Sequence, residues 1–187
     1  MPALPIRITG DPVLHRVADP VETFDDELRT LVADMVETMH KAPGVGLAAP
    51  QVGIPLRLFV FEWDDGTRHV SGTAANPELW ISPVAVGEAD EENESEGCLS
   101  IPGERFALHR ADRAILRAQD VDGKPFELEA EGWLARILQH EFDHLNGILY
   151  VDRLDSEDQR DVAKIVRRNG WGVPGRSWLP GVDHLED

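Results

Sequence analysis

The run ILQHEFDHLNGILY, residues 137–150, places His140, Glu141 and His144 within five positions. On a helix His140 and His144 lie one turn apart and project from the same face. Two imidazoles so placed can share one metal ion, and Glu141 stands where it can act on a water bound to that ion. The pattern supplies two protein ligands, and a working metal site needs a third.

Two sources for that ligand compete. Downstream, HEFDHLNG matches the first eight positions of the metzincin protease pattern HExxHxxGxxH, but the eleventh position holds Tyr150. Glu157 is the nearest glutamate beyond it and falls at the start of an expected helix. A third ligand on that side would make the protein an HExxH metalloendopeptidase. Upstream lies Cys98, the only cysteine, in ESEGCLSIPG. A thiolate with two imidazoles would leave one coordination position open for water. The Gly/Ser/Pro surroundings of Cys98 argue against an inert thiol on an apolar stripe.

A third segment, GVGLAAPQ (residues 44–51), fits the dinucleotide pattern GxGxxA, and Asp64 falls at about the spacing of a ribose-binding acid. The context rules that reading out. An amphipathic helix precedes the segment instead of a strand, Pro43 abuts it, and Pro50 would interrupt the helix the pattern requires. The glycines mark a loop whose backbone approaches something closely, with Gln51 as a side-chain amide donor.

The elements that must carry these residues are readable in outline. Leu28, Leu31, Val32, Met35, Val36 and Met39 recur at helical spacing over residues 25–40, with Thr23 or Asp25 as cap and Pro43-Gly44 as stop. LRLFVFEW reads as a strand ending at the Asp65-Gly66 turn. Residues 114–118 and 126–130 read as strands about the Asp122-Gly123 turn. Trp133, Leu134, Ile137, Leu138 and Leu145 give the histidine helix an apolar stripe, and Asn146-Gly147 stops it. SEDQRDVAKIVRRNG predicts a last helix. The acidic run GEADEENESEG (87–97) reads as a solvated loop in its first half. Helices and strands without regular βαβ alternation predict an α+β class.

Bulk properties narrow the function. The 187 residues are 42% apolar and 28% charged, as in ordinary globular proteins, and suffice for a single domain over 1–187. A net charge of −17 argues against a dedicated DNA or RNA binder. A lone cysteine suits a reducing compartment. No signal peptide and no apolar run of about 18 residues appear, so neither export nor membrane insertion is expected.

GVGLAAPQ, EGCLS and QHEFDH, in this order and spacing, resemble the three signature motifs of the peptide deformylase family. The resemblance covers roughly residues 5–170. The remaining tail, 171–187, rich in Gly, Pro and Trp, looks like an extension of actinobacterial members. The resemblance implies antiparallel β-sheets packed around a central helix carrying the HExxH motif, with N-terminal and C-terminal helices. It implies removal of the formyl group from N-formylmethionyl nascent peptides, in the cytoplasm, by a monomer. Cys98, His140 and His144 would hold one divalent metal ion: Fe²⁺ in the cell, with Zn²⁺, Ni²⁺ or Co²⁺ in isolated protein. Glu141 would be the general acid/base working on a metal-bound hydroxide, and Gln51 with the Leu99 N–H would bind the oxyanion. Val45, Gly46 and Gly97 would lie along the substrate, and Glu96 and Arg110 would form an ion pair supporting the ligands. Trp133 and Ile137 share the helix face leading to His140 and would line the methionine pocket. Arg136 lies there too, where family members often carry an aliphatic residue, and its stem can still pack as apolar surface. Ribosome docking would use Arg160, Lys164, Arg167 and Arg168, on a helix whose Glu157, Asp158 and Asp161 also fit a solvated face.

Overall fold

The computed structural model describes residues 3–185; Met1, Pro2, Glu186 and Asp187, the ends of the expected domain and tail, lie outside them. In chain order the elements begin with β1 (Ile6–Arg7), α1 (Asp26–Lys41), β2 (Gly46–Ala48), β3 (Leu58–Asp64), β4 (His69–Ile81) and β5 (Ser95–Cys98). There follow β6 (Ile101–Ala107), β7 (Arg113–Gln119), β8 (Pro125–Glu131), α2 (Gly132–Leu145), α3 (Ser156–Arg168) and β9 (Ser177–Trp178). The expected α+β class is borne out. Strands β2-β3-β4-β7-β8 form one antiparallel sheet, and β5-β6 and β1-β9 form two small ones.

The pattern of β3 explains the layering. Successive side chains of a strand point to opposite faces. Leu58 and Val60 join the core that contains Met35 and Met39 of α1, while Phe59 and Phe61 join the core that contains Leu134 and Leu138 of α2. The sheet therefore lies between the two helices, and β3, covered on both sides, reads as an unbroken apolar run. In β7 the buried Ala114, Leu116 and Ala118 alternate with outward residues, as for a strand covered on one side.

Local signals set the ends of these elements. Asp25, not Thr23, caps α1 by accepting the Leu28 N–H at 3.0 Å. The Asp65 carboxylate accepts the N–H groups of Thr67 and Arg68, closing the β3–β4 turn. Asn146 ends α2, and Gly147 follows at φ +72°.

Three elements escape the sequence pattern. β4 contains Gly72, Asn76 and Pro77, which read as breakers; the register to β7 shifts between Ala75 and Glu78, and that irregularity accommodates the proline. The second half of the acidic run is the edge of the β5–β6 hairpin. GVGLAAPQ, expected as a loop, is strand β2 followed by one 3₁₀ turn over Ala49–Val52. That turn, unlike the helix of a dinucleotide site, ends at Gly53. Among the described residues no helix is long and apolar enough to cross a membrane.

Candidate metal centre

α2 starts from Gly132 at φ +56° and runs beneath the sheet, nearly all of its side chains from Leu134 to Leu145 buried. His140 and His144 leave it one turn apart with their Nε2 atoms 3.2 Å from each other. Cys98 arrives from the β5–β6 hairpin. The pairing slips between Gly97 and Cys98, and this irregularity re-aims the end of the strand. It puts Cys98 Sγ 3.3 Å from His144 Nε2. The three donor atoms all lie within 4.8 Å of one another. Donors around a tetrahedral ion with metal–sulfur and metal–nitrogen bonds of about 2.3 and 2.0–2.1 Å stand ~3.3–3.6 Å apart. The residues fit one divalent ion, and a thiolate–imidazole set suits Zn²⁺, Fe²⁺, Co²⁺ or Ni²⁺.

The surroundings sharpen the fit. Glu96, 3% exposed, accepts from His140 Nδ1 at 2.8 Å, from Arg110 at 2.6 and 3.1 Å, and from Arg136 at 3.0 Å. Burial alone would raise its carboxyl pKa, but His140 and Arg110 outweigh burial and hold it well below the usual range. Arg110 also binds Asp143, which Arg153 clamps from the other side. Glu141 is 4% exposed, and burial pushes its carboxyl pKa up to about 7. Its Oε2 has no hydrogen-bond partner among the described residues, and Glu141 lines the cavity above the three donors. A Cβ on Gly46 would stand 2.3 Å from Glu141 Oε1, which is why β2 can pass this close only as glycine.

Gln51, in the 3₁₀ turn, accepts the Ala48 N–H at its Oε1 (2.8 Å) and so turns its amide nitrogen inward. That nitrogen lies 3.6 Å from Cys98 Sγ and 3.4 Å from Ser100 Oγ. A cavity of about 520 Å³ opens over these groups. Cys98, His140, Glu141, Gln51 and Glu96 line it, and so do Val45, Gly46, Gly97, Leu99, Trp133, Arg136 and Ile137. His144 and Arg110 stand behind it. Arg136 keeps its stem at the wall, but its guanidinium is occupied elsewhere, donating to the Leu108 carbonyl at 2.8 Å and to Glu96 and lying over the Trp133 ring. Tyr150, at the metzincin ligand position, donates its hydroxyl to the Glu104 carbonyl, and Glu157 is exposed in the first turn of α3. The downstream third ligand, and with it the metalloendopeptidase reading, is set aside.

Sequence reasoning overlooked much of the cavity wall, including residues 101–105 of β6, Trp63, which stacks on Trp133, and Trp178 and Leu185 from the tail. Trp63 closes the strand LRLFVFEW, two positions beyond Phe61 on the same face, and that period was the available signal. Nothing in the tail's composition pointed to Trp178.

A thiol and two imidazoles gathered beside a buried carboxylate, at the floor of one cavity in an α+β fold, are the equipment of a mononuclear metallohydrolase. The model of the family Polypeptide deformylase matches residues 3–160. Peptide deformylases of Mycobacteroides abscessus and Rhodococcus opacus are 47% and 48% identical over 97% of this chain, and 96% and 95% of their own lengths are covered. The crystal structure of a peptide deformylase from Synechococcus elongatus in complex with actinonin superposes with a TM-score of 0.78 at 36% identity, over 93% of this chain and 92% of that one. This chain belongs to the polypeptide deformylase family.

Proposed function

We propose that this chain, as one domain, hydrolyses the formyl group from N-formylmethionine at the head of nascent peptides, releasing formate, with Cys98, His140 and His144 holding one divalent ion. The observation that carries this reading is the meeting of Cys98 Sγ with the two Nε2 atoms beside Glu141, on a chain of this family.

A divalent ion in this set supplies an activated water at neutral pH and polarises the carbonyl. The protein's own residues do the rest. Glu141 takes a proton from the attacking water and passes it to the departing amine. The Gln51 amide and the Leu99 N–H face the formyl oxygen as charge builds on it, a task worth about 2.7–4 kcal/mol per donor in comparable sites. Val45, Gly46 and Gly97 lie along the substrate backbone. Trp133, Ile137 and the Arg136 stem take the methionine side chain, and because Glu96 and Leu108 engage the guanidinium, this wall stays apolar. Formate release from a formyl-methionyl peptide by the metal-loaded chain tests the reading; a metal-replete protein that releases none would overturn it.

The ion in the cell is Fe²⁺. A thiolate–Fe²⁺ site with an open position exposes both metal and sulfur to oxidants. Activity of iron-loaded protein should therefore decay in aerated buffer, with oxidation of Cys98, while the nickel form endures. An equally durable iron form with intact Cys98 would remove the support for iron. The protein works as a cytoplasmic monomer, and α3 is its ribosome-docking surface. All four basic residues of that helix are exposed, although Lys164 pairs with Asp161 at 2.6 Å and Arg168 with Glu104 at 3.4 Å. Co-sedimentation with ribosomes that survives Arg160→Glu with Arg167→Glu would discard α3 as the contact.

A further inference from the structure

We propose that Trp178, in the C-terminal tail, is a positioning residue of the metal site, acting on Cys98 through a single peptide group. The family model ends at residue 160, so this tryptophan lies outside the segment by which the family is recognised. Trp178 is 1% exposed, fixed by the pairing of β9 with β1. Its indole N–H donates to the Leu99 carbonyl at 2.8 Å. The N–H of that same peptide unit, belonging to Ser100, points at Cys98 Sγ from 3.4 Å. Indole, peptide and sulfur thus form one chain of hydrogen bonds. The next peptide is held as well, since Thr9 N–H donates to the Ser100 carbonyl at 2.9 Å. The two chain ends, paired with each other, together suspend the ligand-bearing turn.

The chemistry follows from the order of the chain. A carbonyl that accepts a hydrogen bond polarises its amide and makes the N–H on the other side a better donor. A donor aimed at a ligand sulfur lowers the electron density the sulfur gives to its metal, and it fixes the sulfur's lone-pair direction. Without the indole N–H the Leu99–Ser100 peptide loses the contact that sets its plane. The neighbouring Leu99 N–H, assigned above to the oxyanion, then loses its aim as well.

This inference rests on Cys98 being a metal ligand, and the test separates the two. The full chain is loaded with Co²⁺, whose thiolate charge-transfer band reports on the metal–sulfur bond. Trp178→Phe keeps an aromatic ring and removes the N–H. The band should shift and kcat should fall about tenfold, with KM changed less than about twofold and metal content and circular dichroism as in the parent. Trp178→benzothienylalanine keeps the bicyclic shape with sulfur in place of the N–H, so it removes the bond even if phenylalanine loosens the tail. It should show the same shift and loss. A parental band and rate in the benzothienylalanine protein would overturn the proposal, because packing alone would then explain Trp178. Absence of any thiolate band in the parent protein would instead overturn Cys98 as a ligand.

Discussion

Glu96 Oε1 accepts the hydrogen bond of His140 Nδ1 at 2.8 Å, and this contact decides which ring nitrogen faces the metal site. Glu96 is held ionised by its partners and has no proton to give, so the imidazole must carry its own on Nδ1. In the neutral ring Nε2 then keeps its lone pair, and that atom is the one turned toward His144 and Cys98. The carboxylate thereby orients an imidazole of the proposed metal site.

Glu96→Ala should therefore do two things at once. It removes the carboxylate that Arg110 and Arg136, 9% and 8% exposed, share, and leaves Arg110 only Asp143 and Arg136 only the longer pair to Glu94 at 3.5 Å. Breaking a buried pair in this way costs about 3–5 kcal/mol, which for a chain of this size lowers the thermal midpoint by roughly 10 °C. Metal affinity should fall about 10–100-fold as His140 loses its orientation. Calorimetry and competition with a chelator read the two effects, and a variant with parental affinity would show that Glu96 serves stability alone.

Cys98→Ala should leave the fold in place and abolish metal retention. The side chain is only partly buried, at the tip of a hairpin, so little core is lost. What disappears is one of three donors and the only anionic one. Metal analysis after gel filtration is the check, and stoichiometric metal in the variant would refute the ligand assignment.

Glu141→Gln separates holding the metal from using it. The amide is nearly the same shape, so the site should keep its ion, yet it cannot accept a proton. Turnover should fall about 10²–10⁴-fold with unchanged metal content. Near-parental kcat at neutral pH would remove Glu141 from the acid/base role.

The helices and the facing pair His140 and His144 were legible because each rests on local information. The period of Leu28, Val32, Met35 and Met39 declares α1, and HExxH declares a face of α2 whatever surrounds it. From the residues alone the third donor was a choice between Cys98 and a downstream residue, and only the likeness of EGCLS to a family motif pointed to Cys98. How Cys98 reaches the two histidines depends on the β5–β6 register, which no short window contains. The buried arginines show the same limit. Arg136 sits on the pocket face by helical spacing, but its charge is drawn away by Glu96 and the Leu108 carbonyl, far off in sequence. Trp178 was least legible of all, since its meaning depends on a strand at the opposite end of the chain.

Gly46→Ala gives the most specific test of how β2 meets α2. Gly46 carries no left-handed φ, so alanine brings no backbone strain there, and the whole effect is steric. The new methyl would stand 2.3 Å from Glu141 Oε1 and 2.7 Å from its carboxyl carbon, so the carboxylate must move. It has little room, because the residue is 4% exposed and lies in the core of the site. The metal donors are not touched, so metal content should hold. A displacement of about 1 Å at a reacting group can cost roughly 100-fold, and kcat should fall by about that much. Combining Gly46→Ala with Glu141→Gln should add little further loss, because both act on one carboxylate. Full additivity of the two losses would mean that Gly46 matters for the substrate's path along β2 and not for the placement of Glu141.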